Sequence, residues 1–341
     1  MVPSDVTAPL THGGDLGAAR RLFPGAPEPF IDLSTGINPF SYPLPRLDPA
    51  VYARLPEPAA VARLATVAAA TYGAPSAAHV VTAPGVQILL PMIAALVAPG
   101  RAGVLSPTFA EHARVAAAVG HTTRTVGDIR DLAGMDVAVI VNPNNPDGRL
   151  VAKDALLGLA DRCGLVVIDE AFMDAGPSGA SLVGETTHPN LVVLRSFGKF
   201  FGLAGLRLGF AIAAPDLAAR LRGALGPWAV SGPALAIGAV ALADTAWIAA
   251  TATRIAEAAQ RLDALLRAAE LDVVGGTALF RLVRTPGAPE LFDRLGRAGI
   301  FVRRFADQPS WLRLGLPGPD VEWNRLATAL GSPPARHKRH K

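Results

Sequence analysis

The sequence predicts an α/β protein: a large layered sandwich followed by a smaller α+β domain. Short β-branched runs recur at Val80–Thr82, Gly103–Leu105, Val137–Val141, Leu165–Ile168, Leu191–Leu194 and Gly209–Ile212. They are continuous rather than alternating, as strands covered on both faces are. Ala-rich helical stretches separate them, and such alternation builds a helix–sheet–helix sandwich. Beyond about residue 250 the pattern changes. An amphipathic helix over 252–270 with Ile255, Leu262, Leu265 and Leu266 on one side leads into a strand at 278–283, a helix at 289–298, and strands at 300–303 and 311–314.

Residues 1–58 read as irregular, with turn material at Gly13-Gly14-Asp15 and Asn38-Pro39. The expected organisation is an N-terminal segment 1–45, a large domain 46–245, a small domain 246–331 and a basic, disordered tail 332–341. A chain of 341 residues, half of them hydrophobic, is long enough for one large core and an appended domain. The net charge of +4 is the tail's: Arg336, Lys338, Arg339 and Lys341 account for all of it. The body is neutral and carries no basic stripe with interleaved aromatics, so nucleic acid is not an expected partner. Trp228–Ala250 is the most apolar stretch, but Pro233 and Asp244 break it too early for a membrane span. The single cysteine, Cys163, leaves no disulfide framework and suits a reducing cytoplasm, and the N-terminus shows no secretory signal pattern. No metal is expected.

The segment Ser196-Phe197-Gly198-Lys199-Phe200-Phe201-Gly202, continuing to Arg207 and Gly209, carries the chemistry. Lysines are seldom buried without a reason, and burial favours the neutral amine that Schiff-base chemistry needs. By itself Lys199 could equally be a surface lysine whose stem covers apolar neighbours. Other pieces accompany it: Thr82-Ala83-Pro84-Gly85-Val86-Gln87 opening an apolar helix, Pro107-Thr108-Phe109, Asn142-Pro143-Asn144-Asn145-Pro146-Asp147-Gly148 after a strand, and Val167-Ile168-Asp169-Glu170-Ala171-Phe172 at the end of the next.

In this order the motifs resemble those of the fold-type I pyridoxal 5′-phosphate (PLP) enzymes, the aspartate aminotransferase superfamily. The resemblance implies a mixed, mostly parallel sheet in an α/β/α large domain, a smaller α+β domain and a homodimer. It implies Lys199 as the Schiff-base lysine, Asp169 opposite the pyridine nitrogen, and Asn145 on the pyridine O3′. By the same resemblance Phe109 is the candidate stacking aromatic, Phe172 stands where most relatives have a tyrosine, and Ser196, Arg207 and the Val86 and Gln87 amides would hold the cofactor phosphate. Arg313 would hold the substrate carboxylate, with Arg303, Asn38 and His12 as candidates for a substrate phosphate. The openings His12-Gly13-Gly14-Asp15 and Ile31-Asp32-Leu33-Ser34-Thr35-Gly36-Ile37-Asn38-Pro39 resemble the L-threonine-O-3-phosphate decarboxylase branch of cobalamin biosynthesis. The other branches considered are histidinol-phosphate-type aminotransferases and a non-catalytic protein of the same fold. One departure is Leu55, near which many relatives have a tyrosine that reaches the neighbouring subunit's cofactor.

Overall fold

A computed structural model describes residues 12–331, so the basic tail lies outside the described residues. The chain divides into two compact units: one is Ser41–Ala252, and the other combines the flanking segments Met1–Phe40 and Thr253–Lys341.

A short strand β1 (Ile31–Leu33) belongs to the flanking unit. The central unit then contributes β2 (Val80–Ala83), β3 (Arg101–Leu105), β4 (Thr122–Val126), β5 (Val137–Val141), β6 (Leu165–Asp169), β7 (Leu191–Ser196) and β8 (Gly209–Ala213). These form one sheet in the order β2-β8-β7-β6-β5-β3-β4. All run parallel except β8, which is antiparallel to both β2 and β7. Every residue of β2, β5, β6 and β8 is buried, which is why these strands read as unbroken apolar runs. One sheet face packs Val81, Val139, Val167, Val192, Leu194 and Ala211 against Leu89, Leu90 and Ile93 of the helix Val86–Ala94, whose apolar residues fall at helical spacing.

The flanking unit carries β9 (Asp272–Thr277), β10 (Phe280–Arg284), β11 (Ile300–Arg304) and β12 (Trp311–Gly315). They join β1 in the order β1-β11-β12-β10-β9, with β1 parallel to β11 and the remaining pairs antiparallel. The helix Leu16–Leu22 leads into Phe23, whose ring stands 5.4 Å from that of Phe292.

Several sequence expectations need correction. Strand β4 went unread because its Thr-Thr-Arg-Thr-Val sequence is a mostly exposed edge. The strand expected at 278–283 is a hairpin: Ala278 and Leu279 turn between β9, disguised by Gly275-Gly276, and β10. The long helix begins at Thr245 rather than 252, and the stretch read as irregular holds helix Leu16–Leu22. The apolar run near 228–250 contains the helix Gly232–Ala243, buried at Ala234, Leu235, Ile237 and Leu242. Among the described residues no single helix is long and apolar enough to cross a membrane.

Leu194 is fully buried in β7 at the middle of the larger sheet. Leu194→Ala should lower stability by about 2–5 kcal/mol, read as a lower urea midpoint with unchanged slope.

Candidate active site

Parallel strands bring their C-terminal ends to one sheet edge, and ligand-binding loops of open α/β sheets gather there. The register sets Val141 beside Asp169, Asp169 beside Leu194, Ser196 beside Gly209, and Gly209 beside Ala83. Every cofactor candidate of the central unit follows, or in the case of Arg207 precedes, one of these ends.

The first component is an anion cradle after β2. Gly85, at φ +86°, caps the helix Val86–Ala94 with no side-chain hydrogen bond to its first turn. Amides there point outward along the helix dipole, an arrangement suited to phosphate. Arg207, itself left-handed at φ 53°, brings its guanidinium over this glycine: a Cβ at Gly85 would stand 2.8 Å from Arg207 Nη2. Gly209 packs beneath, where a Cβ would lie 2.7 Å from the Val86 nitrogen. Neither glycine can be replaced without disturbing the cradle. Gln87 is exposed and its amide donates to Glu111 Oε2 at 2.9 Å, so its side chain is tied away while its backbone belongs to the first turn.

Lys199 lies on the short helix Phe197–Phe200. Its Nζ stands 5.7 Å from the centre of the buried Phe172 ring. Rings fix this helix on its inner side: Phe197 stacks on Phe201 at 4.3 Å, Phe201 on Trp247 at 5.5 Å, and Tyr42 meets Trp247 edge-on at 5.0 Å. Ser196 precedes the helix, and its hydroxyl makes no capping bond to it.

Asp169 ends β6, 5% exposed. One carboxylate oxygen accepts from the Ala171 amide at 3.0 Å; the other is 2.9 Å from His112 Nε2. His112 is the residue that sequence reasoning missed. It follows Phe109 by three residues, and their rings meet edge-on at 5.9 Å; a His beside Glu111 and three residues past the candidate stacking aromatic was the available signal. The Asn-Pro loop divides its labour. Asn142 exchanges hydrogen bonds with Val151 across the loop, and Asn144 bonds Thr108, the Pro107 carbonyl and Asp147. These two brace the loop around the partly buried Asn145.

In the flanking unit, Arg313 on β12 is 7% exposed and donates from Nη2 to the Ser34 carbonyl at 2.9 Å. Arg303 on β11 is its cross-strand partner. Burial, then the neighbouring Arg303, pushes Arg313 down to about 10, with Asp32 acting in the opposite sense; burial lowers Arg303 too. Arg304 lies over the Phe292 ring at 4.1 Å, on the opposite strand face, as alternation requires. Asn38 is buried and closes a turn on Phe40, accepting from its amide at 2.9 Å and donating to its carbonyl at 3.0 Å. His12 is exposed ahead of Gly13-Gly14. Cys163 donates to the Leu132 carbonyl at 3.1 Å and burial raises its thiol, unlike a nucleophile.

The residues present fit PLP: a phosphate cradle that a Cβ would fill, a buried carboxylate, a lysine against an aromatic face, and a braced amide, all at one edge of a mostly parallel sheet. That combination defines the fold-type I PLP class. The chain belongs to the aminotransferase class I and II family, whose model matches residues 52–330. It is 41% identical over 328 residues to a threonine-phosphate decarboxylase of Pseudomonas aeruginosa, covering 94% of this chain and 97% of that one. It is 43% identical over 333 residues to one of Sinorhizobium sp, covering 95% and 98%. Its fold superposes with a TM-score of 0.76 on a histidinol-phosphate aminotransferase from Sinorhizobium meliloti, solved in complex with pyridoxal-5′-phosphate, at 23% identity over 92% and 93% of the two chains.

Gly209→Ala places a methyl against the backbone that opens the phosphate cradle. It should weaken PLP binding by about tenfold or more, since 1.4 kcal/mol of misplacement suffices; equilibrium dialysis of the reconstituted protein measures it.

Proposed function

We propose that this chain is a PLP-dependent carboxy-lyase converting L-threonine O-3-phosphate to (R)-1-amino-2-propanol O-2-phosphate in cobalamin biosynthesis. The observation that carries the reading is the likeness to two threonine-phosphate decarboxylases over nearly the full length of each. The arginine pair supports it. Like charges opposite one another in a sheet are unfavourable, and a substrate with both a carboxylate and a phosphate offsets that by giving each guanidinium an anion.

In this reading the large domain, 46–245, holds the cofactor, while the N-terminal segment and 246–331 supply substrate ligands. Ser196, Arg207 and the Val86 and Gln87 amides would hold the cofactor phosphate, with Asn145 and Phe109 as the residues that would meet its ring. Asp169, steadied by His112, would face the pyridine nitrogen and favour its protonated form. When bound, PLP supplies the electron sink for the pair left as a bond to the substrate α-carbon breaks. Arg313 fixes the carboxylate so that the bond to it is the one that breaks, while Arg303, with Asn38 and His12, holds the phosphate. The carboxylate departs as CO₂, its bonding electrons stay behind, and Lys199 Nζ delivers the proton that replaces it at Cα. Phe172 brings no hydroxyl to the ring, which keeps its surroundings apolar.

A homodimer in the cytoplasm completes the proposal. A groove of about 520 Å³ lined by Pro56, Val61, Leu225, Trp228 and Val230, with Tyr52 and Leu55 exposed just ahead of Pro56, is the apolar surface a second copy would cover. Light scattering at twice the 35.2 kDa chain mass checks it.

Purified protein should release CO₂ from threonine phosphate without 2-oxoglutarate; strict dependence on that acceptor would reassign it to the histidinol-phosphate-type aminotransferases. Lys199→Ala should lower turnover by about 10²–10⁴. Arginine binds anions only while protonated, so the contribution of Arg313 should be lost and KM should climb as pH rises through about 10, the value to which Arg313 is lowered. A KM–pH profile reads this directly.

A further inference from the structure

The two arginines share their sheet face with one acid. Arg303 and Arg313 are cross-strand partners, so their side chains leave the sheet on the same side. Asp32 pairs with Phe301 across β1 and β11, and Phe301 precedes Arg303 by two residues, so alternation puts Asp32 on that side as well. Asp32 is the only acidic residue on β1, β11 and β12. Its charge opposes the combined lowering of Arg313 by burial and Arg303.

Asp32 also organises the backbone through Ser34, which is 1% exposed. Asp32 Oδ1 accepts from the Ser34 amide at 2.9 Å and from its hydroxyl at 2.6 Å. The hydroxyl accepts from the Gly14 amide at 2.8 Å, and the Ser34 carbonyl accepts from Arg313 Nη2 at 2.9 Å. Gly13 presses on this residue too, since a Cβ there would lie 2.3 Å from the Ser34 carbonyl oxygen. One buried serine therefore joins the acid, the turn that carries His12, and the arginine.

We propose that Asp32 and Ser34 are positioning residues for anion recognition: Ser34 aims Arg313 and fixes the His12–Gly14 turn, and Asp32 tempers the arginine pair, loosening its hold on any anion bound there. When the substrate carboxylate leaves as CO₂, Asp32 is the negative charge that remains near Arg313, and the product, keeping only its phosphate, is held less tightly. The substrate named here rests on the decarboxylase reading; the effect on a bare anion does not.

The test uses the PLP-loaded enzyme, whose cofactor phosphate site is filled, with inorganic phosphate as probe. Asp32→Asn keeps the oxygen that accepts from Ser34 and removes the charge. It should bind phosphate about three- to tenfold more tightly at low ionic strength, with the gain shrinking at high salt as screening requires. Its kcat/KM preference for threonine phosphate over threonine should rise, because the added phosphate gains most from the lost repulsion. Ser34→Ala should raise KM for threonine phosphate about tenfold with kcat little changed, through the loss of the two hydrogen bonds its hydroxyl makes, to Asp32 and from the Gly14 amide. Unaltered phosphate affinity of Asp32→Asn at both ionic strengths overturns the charge role. An unaltered KM in Ser34→Ala overturns the positioning role. If the wild-type enzyme releases no CO₂ from threonine phosphate, the functional reading fails, while the phosphate titration still decides the role of Asp32.

Discussion

The close approach of Gly209 to the Gly85–Val86 peptide is the contact on which the site depends. Strand β8 is the one antiparallel member of its sheet, held between β2 and β7. Its first residue therefore arrives at the edge where the parallel strands end. With no side chain, it lets the start of the helix Val86–Ala94 settle onto the strand end. The chain entering β8 passes through Arg207 in a left-handed conformation, which for a non-glycine residue costs about 1–2 kcal/mol. That conformation accompanies a guanidinium placed over the Gly85 peptide, so local strain and ligand geometry are two aspects of one arrangement.

Asp169 and Glu170 are neighbours with opposite tasks. Asp169 turns to His112, while Glu170, fully buried, accepts from Ser181 Oγ and the Leu182 amide and lies 3.2 Å from Arg195 Nε. Arg195 also reaches Asp174 at 3.1 Å and covers the Tyr72 ring at 4.9 Å. Burial raises both carboxyls and the guanidinium counters it. Deleting one member of such a buried set costs about 3–5 kcal/mol, so the network ties the ends of β6 and β7 together. Those ends carry Asp169, Ser196 and Lys199, and their relative placement is fixed by this buried network.

Much of this was legible in the sequence because the central strands are buried on both faces and their loops carry motif residues at fixed offsets. Asn142–Gly148 and Asp169–Phe172 were readable as ordered motifs for that reason. The resemblance singled out Asn145, but the bracing by Asn142 and Asn144 was not legible: it rests on the partners Val151, Thr108 and Asp147. Strand β4 and the β9–β10 hairpin escaped because exposed edges and Gly-Gly pairs carry little hydrophobic signal. His112 and Ser34 escaped for a different reason: their roles lie in pairings between residues 57, 20 and 279 positions apart, which no local pattern encodes.

The stack of rings behind Lys199 has an optical consequence. Trp247 lies face to face with Phe201, two residues from the lysine, so its indole is a built-in light source beside the position where a coloured pyridoxyl group would attach in the proposed reading. Emission from that indole overlaps absorption by such a chromophore, and transfer between them fades steeply with distance. Loading of the enzyme can therefore be followed as dimming of its own fluorescence, with no label and no substrate.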